Sequence, residues 1–138
     1  MINNWVFIVN PNHFRMKDFL EKYDFVEFTQ RNKVHLNDIV YLYLTSPVKA
    51  IKYKMIVERT DIPIEETFED SDYSLPDNPR KSQNTGLWLR LRLLDTINNS
   101  DLSLEALKSH GLRYSMQGNF KVSGELLDFI ESFFNDFA

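Results

Sequence analysis

The chain has 138 residues, a length that suits one domain with a core large enough to fold alone. It contains no cysteine, which excludes a disulfide framework and a thiolate metal site, and no apolar run reaches the roughly 18 residues of a membrane span. The net charge of −4 argues against a partner bound by bulk charge alone. Because no basic and apolar leader opens the chain, we expect a cytoplasmic protein with one domain over residues 1–138.

The N-terminal segment predicts a strand, a helix and a second strand. Aromatic and β-branched residues fill 4–10, which is typical of a strand. A turn follows it, and Asn12 is placed to cap a helix over 13–23, where apolar residues recur at helical spacing. The short alternation over 25–28 predicts a further strand.

A hairpin forms the centre of the predicted sheet. Residues 38–44 are apolar on both faces, as expected of a strand in the middle of a sheet or in a barrel wall. Pro47 interrupts the run, and residues 50–58 then alternate apolar and charged side chains, which predicts a half-buried strand. The loop between these strands holds Thr45 and Ser46, and the end of two rigid strands is a favourable place for a binding site.

Residues 59–85 predict a long acidic insertion that runs over the surface. Seven acids and no base fall within 61–77, a pattern typical of a solvated loop. The rest of the chain outside the acidic C-terminal helix then carries a basic excess. This excess suits either an ordinary solvated surface or a basic face that binds nucleic acid.

The segment after the insertion has an alternation with a period of two. Residues 87–94 predict a strand whose polar face carries Trp88, Arg90 and Arg92. This face is either a basic and aromatic binding surface or a strand face whose tryptophan is covered by the insertion.

The chain closes with a predicted short helix over 102–110, an extended piece over 112–120 and a final helix over 124–137. The whole order contains four or five strands and two or three helices. Strands of this length and number indicate a small α+β domain built around a curved or closed sheet.

Three segments of the chain carry a family resemblance. They are NWVFIVNPN at 4–12, NDIVYLYL at 37–44 and RYSMQG at 113–118, ahead of the last helix. Together they resemble the EVE domain family of the PUA-like superfamily, whose relatives are the YTH and ASCH domains, and the likeness covers most of the chain except 59–85. The resemblance implies a PUA-like curved or closed β-barrel of about five strands flanked by two or three helices. It also implies a pocket that accepts a flipped, modified base of DNA or RNA.

The resemblance places this pocket near the ends of the first strand and the hairpin. Amides donate to and accept from a base edge, an aromatic ring stacks on the base, and arginine holds a phosphate with paired hydrogen bonds. The candidate base-binding residues are Asn10, Asn12, Phe25, Thr45, Ser46, Arg113, Ser115 and Gln117. The candidate phosphate contacts are Lys49, Lys52 and Lys121.

These candidates also have purely structural readings. Asn12 is equally suited to a turn or helix cap, and Phe25 to packing in the core. Thr45 and Ser46 can stabilise the hairpin turn, and Arg113 can form an ion pair.

The prediction for function is a non-catalytic module that binds nucleic acid and recognises a modified or flipped base. Three widely spaced histidines give no metal site, no carboxylate or nucleophile spacing is typical of catalysis, and no cofactor is expected. The alternatives are a small enzyme acting on a nucleotide or small molecule in the same pocket, and a protein-interaction domain that uses the acidic surface. Since family members are fused to such modules, a separately encoded nuclease or modification enzyme is a candidate partner.

Overall fold

The computed structural model describes residues 1–74, 86–113 and 116–134, and this part of the chain forms six strands and three α-helices. In chain order these are β1 (Asn4–Val9), α1 (Met16–Lys22), β2 (Phe25–Thr29), β3 (Ile39–Leu44), β4 (Ala50–Ile62), β5 (Trp88–Thr96), α2 (Leu104–Ser109), β6 (Phe120–Lys121) and α3 (Gly124–Glu131). Two short 3-10 turns, Ile64–Glu66 and Ser71–Tyr73, follow β4.

The six strands form one sheet in the order β2-β5-β4-β3-β1-β6. The pair β1 and β3 is parallel, so both strands end at the same edge of the sheet, and the other neighbours are antiparallel. The predicted α+β class with a curved sheet is confirmed. The strand that sequence reasoning did not separate is β6, a two-residue pairing with β1 inside the predicted extended piece.

The sheet curves strongly without closing into a barrel. The long β4 shifts register against β5 between Val57 and Arg59 and again between Arg59 and Ile62, and such bulges bend and twist a strand. The curvature brings β1 close to β2, although three strands separate them in the sheet. The rings of Phe7 and Phe28 meet there, with centroids 6.2 Å apart.

Strand β3 confirms the predicted central position, because both of its faces are buried. Val40, Leu42 and Leu44 pack on one face with α1 and its aromatic neighbours. Tyr41 and Tyr43 pack on the other face with residues of α2 and α3. Apolar side chains on both faces are therefore explained by two separate layers of helices.

The first part of the predicted insertion is more ordered than a solvated loop. Strand β4 continues to Ile62, and Phe68 and Tyr73 then pack on Phe19 of α1, with ring centroids 5.9 and 5.1 Å away. Asp70 is buried although it belongs to the acidic stretch. The predicted excursion over the surface therefore has buried anchor points within residues 63–74, because aromatic residues between the acids pack on α1. Residues 75–85 lie outside the described part.

The face of β5 that carries Trp88 and Arg90 is largely occupied by the protein itself. Trp88 is buried, and the Arg90 guanidinium donates two hydrogen bonds to the buried Glu27 carboxylate, at 2.8 and 3.1 Å. Arg92 lies 3.9 Å from Glu58 at the surface. One of the two readings of this face had its tryptophan covered by the insertion. The structure shows that Trp88 is buried, and the covering by the insertion stays a prediction.

Both predicted long helices are shorter than expected. Helix α1 begins at Met16 after Arg15, so the start at 13 and the cap by Asn12 are wrong. The reason is that the Arg15 N–H donates to Tyr73 O at 2.8 Å, and Phe14 forms a bridge with Ser74. Helix α3 ends at Glu131. None of the described helices has the length and apolar character needed to cross a membrane.

Candidate nucleic-acid cleft

A cleft of about 480 Å³ opens where β1 and β2 approach each other across the gap in the sheet. Its volume falls within the roughly 300–1,000 Å³ of typical small-molecule sites. We call it the β1–β2 cleft. Its lining comes from β1, from β2 with the segment after it, and from the segment before β6: Phe7, Ile8, Phe28, Thr29, Arg31, Asn32, Gln117, Gly118 and Asn119.

Two phenylalanines form the apolar wall of the cleft. Phe7 is buried, and its ring meets Phe28 edge to face at an interplanar angle of 83°. Trp5, two residues earlier on the same face of β1, packs against Phe7, with ring centroids 6.4 Å apart. Phe28 is only partly buried, so part of its ring remains accessible. The wall therefore offers a fixed aromatic surface to a planar ligand.

A chain of side-chain amides holds the polar side of the cleft. Ile8 N donates to Asn119 Oδ1 at 2.9 Å, and Asn119 Nδ2 donates to Asn32 Oδ1 at 3.1 Å. Trp5 pairs with Lys121, and Val6 pairs with Phe120, the first residue of β6. The backbone pairing stops at this point, so the side chain of the preceding Asn119 accepts the hydrogen bond from Ile8 N. These hydrogen bonds link β1, the segment before β6 and the segment after β2, which are far apart in sequence.

The amides retain donors that can face a ligand. Within the described residues, Asn32 Nδ2 makes no hydrogen bond, and neither does the exposed amide of Gln117. Asn119 Nδ2 uses one of its two N–H groups on Asn32. The free polar groups of the lining therefore include several N–H donors, which suit the carbonyl oxygens and ring nitrogens of a base edge.

The charge of the cleft lining is positive. Arg31 is exposed at its rim, and the lining residues that the structure describes include no carboxylate. The preceding Gln30 forms two hydrogen bonds with Asp61, at 2.9 and 2.7 Å. Hydrogen bonds from Gln30 and Thr60 lower the pKa of Asp61, so this exposed acid stays ionised and engaged with its own partners. Farther along the sheet, Lys121 Nζ lies 5.4 Å from the Trp5 ring centroid.

One of the base-binding candidates from the sequence, Gln117, lines the cleft. Asn10, Asn12 and Ser46 instead meet in a turn beyond the end of β1. Asn10 Oδ1 accepts from Asn12 N at 2.9 Å, and Asn12 Nδ2 donates to Ser46 O at 3.2 Å. Thr45 N joins the same region by donating to Val9 O at 2.9 Å. These contacts fit the structural reading as turn stabilisers, and a role in binding stays a prediction.

Phe25 lies in an aromatic cluster rather than in the cleft. Its ring contacts Phe19 and Phe68, with centroids 5.8 and 5.2 Å away, and the Arg90 guanidinium carbon lies 5.1 Å from its centroid. This arrangement fits the packing role considered for it from the sequence.

The basic candidates are spread over several surfaces. Arg113 is exposed and lies neither in the lining of the β1–β2 cleft nor in that of a second cavity, of about 420 Å³, beside α1. Ser115 lies outside the described residues. Lys49 is exposed in the β3–β4 hairpin, and Lys121 is exposed on the edge strand β6. Lys52 lines the cavity beside α1, where its Nζ donates to Asn99 O.

Sequence reasoning missed most of the cleft. Phe7 and Phe28 fall in predicted strands without a role in the site, and Arg31 and Asn32 lie between the predicted strands over 25–28 and 38–44. Asn119 directly follows the RYSMQG segment that carried the family resemblance, and this was the available signal. The approach of β1 to β2 depends on curvature, which has no local mark in the sequence.

The side chains around the cleft supply aromatic rings, amides and one guanidinium. Among the described residues of the lining there is no histidine or carboxylate, the usual acids and bases of catalysis. Across the part of the chain that the structure describes, no three histidine, aspartate or glutamate side chains come together as metal ligands.

Comparisons with known proteins identify the fold. No protein-family model and no curated protein sequence matches the chain significantly. Among solved structures, the ASCH protein of Zymomonas mobilis is similar with a TM-score of 0.71 and 15% identity, covering 97% of each chain. Rpa0253 of Rhodopseudomonas palustris is similar with a TM-score of 0.65 and 12% identity over 96% of this chain and 92% of its own.

A third similar structure contains DNA. Human THYN1, an EVE-domain protein solved in complex with DNA containing 5-methylcytosine, has a TM-score of 0.63 and 14% identity over 94% of this chain and 96% of its own. The predicted PUA-like fold is therefore confirmed at the level that ASCH and EVE domains share. The narrower assignment to the EVE family stays a prediction.

Proposed function

We propose that the protein is a non-catalytic nucleic-acid-binding module whose β1–β2 cleft receives a single unpaired or flipped base of DNA or RNA. The observation that carries this proposal is the combination of the Phe7–Phe28 wall with the Asn119–Asn32 amide pair in a cleft whose described lining includes an arginine and no carboxylate. A base needs an aromatic surface for its face and hydrogen-bonding groups for its edge.

The energetics suit one base held with moderate affinity. Stacking on an aromatic side chain contributes about 1–3 kcal/mol per base. A hydrogen bond to the base edge gives about 0.5–1.5 kcal/mol, and the amides are held in place before the ligand arrives, which reduces the entropy lost on binding. Arg31 at the rim is positioned to contact a flanking phosphate.

The comparison with human THYN1 supports the choice of ligand. That protein has the same fold and was solved with DNA containing 5-methylcytosine. We extend the proposal to recognition of a modified base, with Gln117 and Asn32 as the groups that contact its edge. Arg113, Lys49, Lys52 and Lys121 remain proposed phosphate contacts, and cytoplasmic location and a partner nuclease or modification enzyme belong to the same proposal.

A binding screen tests the proposal. Short single-stranded and duplex oligonucleotides that carry different modified bases are titrated by fluorescence anisotropy at about 50 mM and about 200 mM salt. We expect binding that weakens as salt rises and that favours one modified base over its plain form. Replacement of the exposed Arg31 by alanine should reduce the slope of log affinity against log salt by about one, because one phosphate contact is lost.

Arg92→Ala is the matched control, since Arg92 is also a surface arginine but lies on β5 outside the cleft lining. Arg113→Ala tests the rim predicted from the sequence, and it should weaken binding without changing thermal stability. No binding to any oligonucleotide at the lower salt concentration would contradict the proposal. Equal effects of Arg31→Ala and Arg92→Ala would place the bound nucleic acid elsewhere.

A further inference from the structure

A backbone group fixes the orientation of the two amide side chains in the β1–β2 cleft. Ile8 N carries a hydrogen and can only donate, so the Asn119 atom 2.9 Å away from it is the carbonyl oxygen Oδ1. The other end of the same side chain is therefore the Nδ2 group. If the Asn119 amide turned over, two donors would face each other and a hydrogen bond would be lost.

The same orientation is passed on to Asn32. Asn119 Nδ2 is a donor, so the Asn32 atom 3.1 Å away from it is the acceptor Oδ1. Asn32 Nδ2 then forms the free end of the chain of amides. Both side chains are half-buried, and both line the cleft. One main-chain N–H group thus decides which polar atoms of these amides are left for a ligand.

The polar atoms that are left are N–H groups. Each of the two amide oxygens already accepts a hydrogen bond, whereas Asn32 Nδ2 has no partner among the described residues. Asn32 Nδ2 therefore keeps both of its hydrogens, and Asn119 Nδ2 keeps one. The two nitrogens are near neighbours, because Asn32 Oδ1, which accepts from Asn119, belongs to the same amide group as Asn32 Nδ2. The cleft therefore holds two adjacent donors in a fixed arrangement.

The rest of the lining favours the same kind of ligand atom. The Arg31 guanidinium at the rim carries only donors, and the described part of the lining includes no carboxylate that would accept from a ligand. Gln117 is exposed, so its amide can turn to present a donor or an acceptor. A ligand donor placed against Asn32 and Asn119 would lose its hydrogen bond to water and gain none in return.

Two of the common bases have an edge that matches a pair of adjacent donors. Cytosine presents the acceptors O2 and N3 side by side, and guanine presents O6 and N7. Thymine and uracil place the N3–H donor between their two carbonyl oxygens. Adenine places its N6 amino group next to both N1 and N7, so each of these acceptors has a donor beside it.

We propose that the β1–β2 cleft selects a base with two adjacent hydrogen-bond acceptors, which is cytosine or guanine, over thymine, uracil and adenine. This inference rests on the proposed function, because it requires a base in the cleft. Asn32 Nδ2 and Asn119 Nδ2 donate to the two acceptors while the face of the base lies against Phe28. Two analogues separate the two sources of this chemistry, since 3-deazacytosine and 7-deazaguanine each carry a C–H group in place of one acceptor.

The experiment uses single-stranded oligonucleotides that differ at one central base, in a background of thymine for DNA and of uracil for RNA. Fluorescence anisotropy of the full chain at about 50 mM salt gives the affinities. We expect the oligonucleotide with cytosine or with guanine to bind about tenfold tighter than those with adenine, thymine or uracil, because a matched pair of hydrogen bonds discriminates by about that factor. Loss of this preference with 3-deazacytosine assigns cytosine, and loss with 7-deazaguanine assigns guanine.

Asn32→Asp changes the free end of the amide chain from donor to acceptor. The aspartate still accepts from Asn119 Nδ2, but a carboxylate oxygen replaces the free N–H groups. We expect thymine or uracil, whose N3–H is then matched, to bind at least as tightly as cytosine or guanine. Because the added charge weakens all binding, the measured quantity is the ratio of affinities between bases.

Two further variants accompany this one. Asn99→Asp adds the same charge in an exposed turn outside the cleft lining, and it should leave the ratio of affinities unchanged. Asn32→Ala removes the donors without adding a charge, so it should also abolish the preference, and it replaces Asn32→Asp if the aspartate variant does not fold.

The outcomes separate this inference from the proposed function. Absence of binding to every oligonucleotide would overturn the proposed function and this inference together. Binding with equal affinity for all bases, or a preference for adenine, thymine or uracil, would overturn this inference alone. A preference that survives both analogues, or that is unchanged in the Asn32 variants, would place the selection outside these two amides and would overturn it as well.

Discussion

The Asn119 side chain donates a hydrogen bond to Asn32 across 87 positions of sequence, with Nδ2 and Oδ1 3.1 Å apart. Through Ile8 N, which donates to the Oδ1 atom of the same Asn119, this contact ties β1 to the segment after β2. The β1–β2 cleft therefore takes its shape from a pair of neutral amides. Because neither amide titrates, the geometry of this polar side should not change between about pH 5 and about pH 9.

Replacing Asn119 by aspartate separates its two contacts. The aspartate still accepts from Ile8 N, but it loses the donor to Asn32 and places two acceptors opposite each other. We expect a loss of stability of about 0.5–1.5 kcal/mol and a larger proportional loss of oligonucleotide binding, because a negative charge also enters the cleft. Urea unfolding and fluorescence anisotropy measure the two effects. Asn99→Asp, in the exposed turn where the Asn99 side chain accepts from Asp101 N, is the control and should leave affinity unchanged.

Phe28→Leu tests the aromatic wall. Leucine keeps much of the apolar volume against Phe7, so the stability loss should stay below about 1.5 kcal/mol, but it removes the flat ring on which a base stacks. We expect oligonucleotide affinity to fall about tenfold. Phe25→Leu is the matched change in the same strand, and it should leave affinity nearly unchanged because Phe25 packs on Phe19 and Phe68. A larger loss from Phe25→Leu would return Phe25 to the site predicted from the sequence.

Two arginines of β5 should differ sharply in their effect on stability. Arg90 holds the Glu27 carboxylate, which is 1% exposed, whereas Arg92 lies at the surface 3.9 Å from Glu58. Removal of Arg90 takes a positive charge and two hydrogen bonds away from the buried Glu27 carboxylate and should cost about 3 kcal/mol, while Arg92→Ala should cost less than about 1 kcal/mol. Guanidinium chloride unfolding of both variants checks this. Similar values for the two would mean that Glu27 is adequately satisfied by Phe68 N, which donates to it at 2.8 Å.

Asp61→Asn should change how stability depends on pH. Hydrogen bonds from Gln30 and Thr60 lower the folded-state pKa of Asp61 below its ordinary value. The carboxylate therefore contributes stability that is fully present above the unfolded pKa of about 3.9 and is lost as pH falls through the lower folded value. We expect the variant to lose this contribution at neutral pH and to show a shallower decline in acid. Asparagine also tolerates the φ of +56° at this position, so backbone strain does not confound the comparison. Thermal melting between about pH 2 and about pH 7 measures the difference, and parallel curves for the two proteins would contradict it.

The sequence predicted those parts of the fold that have a local signal. The two apolar faces of β3 and the period of two in β5 identified strands correctly, because each pattern reflects which sides of the strand are buried. The β5 pattern did not decide between an exposed binding face and a face whose tryptophan is covered. Trp88 and Arg90 are covered there by partners distant in sequence, including Glu27.

The candidate site was harder to predict, because it depends on long-range geometry. Of the residues that the family resemblance pointed to, Gln117 lines the β1–β2 cleft, whereas Asn10 and Asn12 contact each other and Ser46 in a turn. The binding role of all three stays a prediction. Asn and Thr side chains stabilise turns and bind ligands with the same atoms, so residue type alone could not separate the two roles. Two long-range features had no local signal in the sequence. They are the parallel pairing of β1 with β3 and the curvature that brings Phe7 next to Phe28.

Because β6 supplies the outer partner of β1, the ribosome releases β1 well before the strand that covers its outer edge. Ile8 and Asn119 are separated by 111 positions, so the edge of β1 beside Trp5 and Phe7 has no native cover in a nascent chain. Exposed strand edges rich in aromatic residues favour aggregation. Stalled or prematurely terminated chains of this protein should therefore depend strongly on chaperones.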